Sequence, residues 1–254
     1  GASDEDFILY DETRGGGIIT LNMQEGFIYD NAVNFTDDDN IWDNANAQYD
    51  DAAGDAHWGM EMTYDYFYDI LGRNSYDNLG SEMRSYVHYD NNYFNAFWNG
   101  LFMTFGDGSG NPLTSIDVVG HEFAHGVTEY SADLVYEAEY GALNESFSDI
   151  FGTAIEFWAL EDSLKSWNVG LVNFQLRDMS DPNNEGDPDT YEGDNWVDVS
   201  NLDFDNGGVH INSGVQNYWF YLLSEGGSGV NDNGDAYDVE GLGMEAAVNI
   251  AYRN

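Results

Sequence analysis

The run IDVVGHEFAHGVTEYSA sets His121 and His125 four residues apart, with Glu122 directly after the first histidine. Positions i and i+4 share one face of a helix, so both imidazoles can offer a ring nitrogen to a single metal ion. Glu122 follows on the same helix wall and can reach a water on that metal without ligating it. Ile116, Val118, Val119, Phe123 and Val127 recur at helical spacing, which predicts a helix with an apolar hidden side. A catalytic zinc keeps three protein ligands and one position for water, so a third ligand is required. The stretch GALNESFSDIFGTAIEFWA predicts a second helix, with Ala142, Leu143, Phe147, Ile150, Phe151, Ala154 and Ile155 on its apolar side. It carries Glu145 and Asp149 one turn apart. Glu145 can complete a site of two histidines and one glutamate. Asp149 is placed to accept a hydrogen bond from a ligand histidine, which would fix the ring and raise its basicity.

The segment HEFAHGVTEYSADLVYEAEYGALNESFSDIFG resembles the core of the thermolysin family of secreted neutral zinc metalloproteases. NNYFNAFWNGLFMTFGDG is similar to that family's substrate-binding edge strand, and LRDMSDP and DNGGVHINSGV to two further signatures. TRGGGIIT and DAHWGMEMTYDYF extend the likeness towards the N-terminus. The resemblance implies His121, His125 and Glu145 as zinc ligands, with Glu122 taking a proton from the attacking water and delivering it to the leaving amine. It implies Tyr136 and His210 as donors to the tetrahedral oxyanion, where charge develops in the transition state, and Asp205 as the carboxylate that orients His210. Asn95 and Ala96 would hold the substrate backbone as an added strand, and Arg177 would bind a substrate carbonyl. Asn144 and Asp149 match partners of the two zinc histidines. Leu113, Val118, Val169 and Leu176 match the apolar pocket for the residue after the cut bond. The shorter loop SGNPL offers Gly110 where the family has a phenylalanine, so a roomier pocket is expected. His57 and His88, in aromatic and apolar contexts, are read as structural.

Positioning these residues calls for a β-rich segment followed by an α-rich one. Strand-like runs occur at 7–10 and 17–21, an amphipathic helix pattern at 55–72 ending near Gly72, and strand patterns at 85–89 and 100–105. A later helix is predicted over 210–223, with Val215, Trp219, Leu222 and Leu223 as its buried stripe. The expected fold is α+β and two-lobed. A β-rich N-terminal lobe (1–136) ends in the HExxH helix, and a mainly helical lobe (137–254) lacks the family's last helices; the zinc cleft lies between them. GLGMEAAVNIAYRN should lead into those further helices, so exposed apolar surface is expected there. No internal repeat is present.

Composition narrows the partners. The 254 residues carry 6 basic and 48 acidic side chains, a formal charge of −42. Nucleic acid and anionic membranes both demand positive charge and are excluded as partners. Peptides or proteins are the expected substrates of a monomer. The carboxylates are expected to be solvated surface whose repulsion salt screens, which points to a saline setting; three prolines and 29 glycines would equally suit cold adaptation. There is no cysteine, hence no disulfide framework, and no apolar run long enough for a membrane helix. GASDEDFILYDETRG has neither the basic start nor the apolar centre of a signal peptide; secretion is implied by the resemblance alone.

The family's calcium sites are only partly represented. Asp117 and Glu156 match two calcium ligands, but Ser166 and Leu171 stand where carboxylates are expected, so the double site reads as dismantled. One calcium can survive through Asp117, Glu156 and backbone carbonyls. Asn44 and Asn46 replace aspartates at another site. The activity implied is endopeptidase cleavage on the amino side of bulky apolar residues. The alternatives are a catalytically silent relative used for binding or structure, and an aminopeptidase with the same zinc pattern, which the substrate-strand match disfavours.

Overall fold

The computed structural model describes residues 7–37, 40, 42, 50–171 and 174–253, with the side chains of 50, 171 and 174 left out. Asn44 and Asn46 lie outside the described residues, as does the Leu171 side chain. The chain forms two compact units, Gly1–Tyr130 and Ser131–Asn254.

The first unit is built on a mixed sheet. Its elements are β1 (Phe7–Ile8), β2 (Tyr10–Asp11), β3 (Ile18–Gly26), β4 (Val33–Asn34), β5 (Thr36–Asp37), α1 (Asp50–Asp65), β6 (Met83–Tyr89), β7 (Ala96–Trp98), β8 (Met103–Phe105) and α2 (Ile116–Glu129). The strand order is β2-β3-β6-β8-β7, with β4 also on β3; β1 pairs with β5 separately. β3, β6 and β8 run parallel, whereas β7 returns antiparallel on β8 and forms the sheet edge. A β-rich pattern read correctly from alternation thus contains parallel pairs, because α1 carries the chain from the β3 region back to β6. α1 ends in a five-residue π turn, Tyr66–Ile70, and Gly72 follows in a left-handed conformation. Ile18, Met60, Phe67, Met83, Val87, Met103, Phe105, Val119 and Phe123 are all fully buried.

One predicted strand is corrected. The pattern at 100–105 begins too early, since Asn99–Phe102 form the turn of a β7–β8 hairpin. The Asn99 Oδ1 accepts the N–H groups of Leu101 and Phe102 at 3.0 Å each, and Gly100 sits at φ 94.

The second unit is mainly helical: α3 (Ala138–Ala159), the hairpin β9 (Asn168–Leu171) and β10 (Phe174–Asp178), α4 (Asp205–Glu225), the hairpin β11 (Gly226–Val230) and β12 (Ala236–Glu240), and α5 (Met244–Arg253). α4 opens with left-handed residues at Asn206, Gly207 and Gly208. At Gly207 an added Cβ would lie 2.8 Å from the Val199 carbonyl, so both the backbone sign and the space require glycine.

Two buried stripes also need correction. On α3, Leu143 is exposed while the other predicted apolar positions are buried or half-buried. On α4, Val215, Leu222 and Leu223 are only half-buried and Trp219 is exposed. The buried face is Val209, Asn212, Ser213, Gly214, Asn217, Phe220 and Ser224. That face is polar because it hydrogen-bonds: Asn217 accepts from Ser146 on α3 at 2.7 Å, and Asn212 exchanges two bonds with the Val197 backbone. On α5, Ala247, Val248 and Ala251 are buried, whereas Ile250 and the preceding Leu242 are exposed. Among the described residues no helix is long and apolar enough to cross a membrane.

Two stability predictions arise here. Basic side chains are few and several are already engaged: Arg14 contacts Asp11, Glu61 and Asp65, Lys165 contacts Asp162, and Arg177 contacts Asp149. Exposed pairs contribute only about 0–1 kcal/mol each, so repulsion among 48 carboxylates should dominate. Sodium chloride is expected to raise the melting midpoint, mostly by a few tenths molar, where the Debye length is roughly 5 Å. A flat or falling midpoint in the presence of a chelator would overturn this.

The second concerns His57, which is buried on α1 with Nδ1 3.0 Å from the Thr20 hydroxyl. Burial pushes its imidazole down to about 4. The unfolded chain therefore binds the extra proton first as pH falls, and stability is lost between about 6.5 and 4. His57→Asn keeps a polar partner for Thr20 and should flatten that stretch of the stability–pH curve by up to ~1.4 kcal/mol per pH unit. Superimposable urea-unfolding profiles for variant and parent across this range would refute the assignment.

Candidate metal centre

α2 starts after Ser115 and is buried along nearly its whole length, so its polar residues need a stated reason to be there. His121 and Glu122 are buried and His125 half-buried. The two imidazoles meet edge to face, with centroids 4.6 Å apart, and their Nε2 atoms converge to 3.0 Å. Two ring nitrogens aimed at one another at that separation need a proton or a cation between them. Glu145, in the second turn of α3, is 1% exposed. One ligand atom from each of His121, His125 and Glu145 lies within 4.8 Å of the others. Two imidazole nitrogens and one carboxylate oxygen form the donor set of a catalytic zinc with a coordination position to spare, so the residues present fit that metal.

Around Glu145 the second unit gathers further polar groups. The Tyr136 hydroxyl donates to Glu145 Oε1 and lies 3.1 Å from His210 Nε2; His210 Nε2 is 3.5 Å from Glu145 Oε1. Asp205 accepts both the His210 backbone N–H at 2.9 Å and Nδ1 at 2.5 Å, so the left-handed turn at 206–208 folds its carboxylate back onto the ring. Burial works against a charged His210, but the Asp205 hydrogen bond and the Glu145 charge hold its imidazolium above the usual histidine range. Burial likewise acts on Asp205 in the raising direction, and the bond from His210 outweighs it, leaving the carboxyl lowered.

Arg177 on β10 forks onto Asp149, with Nε and Nη2 each 2.6 Å from a carboxylate oxygen. Both side chains are buried. Asn217 on α4 adds a third donor to Asp149 at 2.8 Å. Asn217 and Ser146 are absent from the sequence reading. The signal was available: Asn217 stands seven residues after His210, two turns along the same helix face, where asparagine is a poor helix former.

The remaining expected residues are placed as follows. Asn95 is exposed and Ala96 half-buried at the start of β7, the edge strand. Leu113 and Val118 are buried in the first unit; Val169 is buried on β9 and Leu176 exposed on β10 in the second. Asn144 donates to the Leu134 carbonyl at 3.3 Å. Asp117 accepts from the Ser115 hydroxyl at 2.5 Å, and Glu156 accepts the Ser166 backbone N–H at 2.8 Å.

A mixed sheet with two helices, joined to a helical unit and carrying an HExxH helix and a downstream glutamate, is the plan of a gluzincin metallopeptidase. The chain belongs to the thermolysin family. Residues 1–129 match the thermolysin metallopeptidase catalytic domain and 132–254 its alpha-helical domain. It is 44% identical over 248 residues to the thermostable neutral protease NprT of Geobacillus stearothermophilus, covering 92% of this chain and 43% of that protein. It is 42% identical over 264 residues to bacillolysin of Bacillus cereus, covering 99% and 44% respectively. Among solved structures it is similar to the precursor of protealysin, a metalloproteinase from Serratia proteamaculans. The TM-score is 0.64 at 36% identity, over 83% of this chain and 70% of that one. The chain spans under half the length of the curated relatives it matches.

Proposed function

We propose that this chain is the catalytic part of a secreted, monomeric zinc endopeptidase that cleaves peptides on the amino side of bulky apolar residues. The convergence of His121, His125 and Glu145 carries the reading. Zinc, when bound there, supplies Lewis acidity towards a carbonyl and acidifies a water. Glu122, on the same helix, would take a proton from the attacking water as its oxygen adds to the scissile carbonyl carbon. It passes the proton to the amide nitrogen as the C–N bond breaks, giving an amine and a carboxyl group whose remaining proton is then lost to solvent. His210, oriented by Asp205, and Tyr136 donate to the oxyanion formed on the carbonyl. The exposed edge of β7 at Asn95 and Ala96 takes the substrate backbone as an added strand. With Nε and Nη2 engaged by Asp149, the Nη1 side of Arg177 is the donor for a substrate carbonyl.

By the family resemblance, Leu113, Val118, Val169 and Leu176 are the proposed specificity residues. Gly110 supports a roomy pocket, since a Cβ there would meet nothing within 4 Å. Incubation with a peptide library, with and without a zinc chelator, should give chelator-sensitive internal cleavage before Leu and Phe. Cleavage dominated by charged residues at that position contradicts the pocket assignment, and no chelator-sensitive cleavage contradicts the activity.

A further inference from the structure

We propose that the buried His88 and the half-buried Asp107 form a clamp that positions the substrate edge strand β7, a role that rests on the endopeptidase reading above. His88 is the penultimate residue of β6 and is 4% exposed. Its Nδ1 lies 2.8 and 2.9 Å from the two carboxylate oxygens of Asp107, in the turn that follows β8. The ring also packs edge-on against Phe35, at 5.8 Å between centroids.

The backbone on either side of Asp107 holds the approach to the edge strand. The Gly106 N–H donates to the Asn95 carbonyl at 3.0 Å, and the Gly108 N–H to the Tyr93 carbonyl at 2.9 Å. A Cβ at Gly106 would lie 2.1 Å from that Tyr93 oxygen, and one at Gly108 2.8 Å from the Phe94 ring. The turn therefore sits against 93–95 as closely as bare backbone permits. Next along, Ala96 pairs with Phe105, which completes a ladder on the inner side of β7. Its outer edge pairs with no strand among the described residues. A peptide added there aligns only as well as Asn95 and Ala96 are placed. The placement depends on the Gly106–Gly108 turn, and the turn is pinned to β6 through Asp107 and His88.

The backbone at His88 strengthens the assignment. It sits at φ 60, in the left-handed region, which histidine and asparagine tolerate better than most residues. Asparagine also carries an amide donor at the place of Nδ1, so it can reproduce both features.

Asp107→Ala removes the bond without touching the backbone at His88. It is expected to raise KM for an internally quenched peptide by ~10-fold or more, with kcat changed by less than about 2-fold and zinc content unaltered. Hydrogen exchange at the amides of Gly106, Gly108 and β7 should accelerate, while the β3 amides keep their protection. His88→Asn should retain the parent's KM and exchange pattern. An unchanged KM in Asp107→Ala, or exchange accelerated equally in β3 and β7, overturns the proposal. Equal impairment by His88→Asn does so as well. The exchange measurement needs no turnover, so it still decides the clamp if the peptidase reading fails.

Discussion

Glu122→Gln is expected to lower peptide turnover by about 10²–10⁴-fold, the range typical of removing a general base, while zinc content stays at the parent's level. Glutamine has nearly the shape of glutamate, and position 122 is buried in the middle of α2, so the helix and the flanking histidines should be undisturbed. What is lost is the ability to take a proton. His210→Ala makes the informative contrast. His210 touches Tyr136 and Glu145 but belongs to no step that moves the water's proton. Its loss should lower kcat by roughly 10²–10³-fold, as for one oxyanion donor, again without loss of metal. Metal analysis beside steady-state kinetics checks both variants. Chelator-sensitive turnover that survives in Glu122→Gln would place the chemistry elsewhere in the molecule.

The convergence of His121, His125 and Glu145 was legible in the sequence because a helix fixes the relation between positions four apart. His121 and His125 could serve one ion only as a helix, and the apolar recurrence from Ile116 to Val127 announced that helix independently. Glu145 was legible because it lies inside a helix pattern carried by Ala142, Leu143, Phe147 and Ile150, which makes a carboxylate there conspicuous. The rest failed where apolarity and burial part company. α4 buries Asn212, Ser213 and Asn217 and leaves Trp219 exposed. A helix chosen for hydrogen bonding to its neighbour thus presents the wrong face to a reading based on hydrophobic spacing. The β7–β8 hairpin was lost for a different reason. Asn99-Gly100 is a strong turn signal, but the apolar residues on both sides run together and mask it. The His88–Asp107 bond joins residues 19 apart on different elements, a pairing that no local pattern encodes.

Arg177→Met should destabilise the second unit by about 3–5 kcal/mol, the usual consequence of stripping a buried carboxylate of its counter-ion. Asp149 is 0% exposed and takes two hydrogen bonds from Arg177, plus one from Asn217. The amide of Asn217 is a dipole, not a charge, and does not replace the charge of the guanidinium. Methionine fills the volume of the arginine stem, so the loss should come from charge and not from a cavity. Arg177→Lys should fall between parent and Met, because an ammonium keeps the charge but cannot make the planar two-bond fork. Asp149→Leu combined with Arg177→Met removes both charges, and its cost should be well below the sum of the single changes. Urea unfolding of the zinc-free protein isolates this from metal binding. A loss under about 1 kcal/mol in Arg177→Met would mean that the pair is solvated as a surface bridge is. Strict additivity in the double variant would mean that Arg177 and Asp149 contribute separately. Either outcome would remove the ground for treating the pair as the fixed support from which Arg177 reaches a substrate.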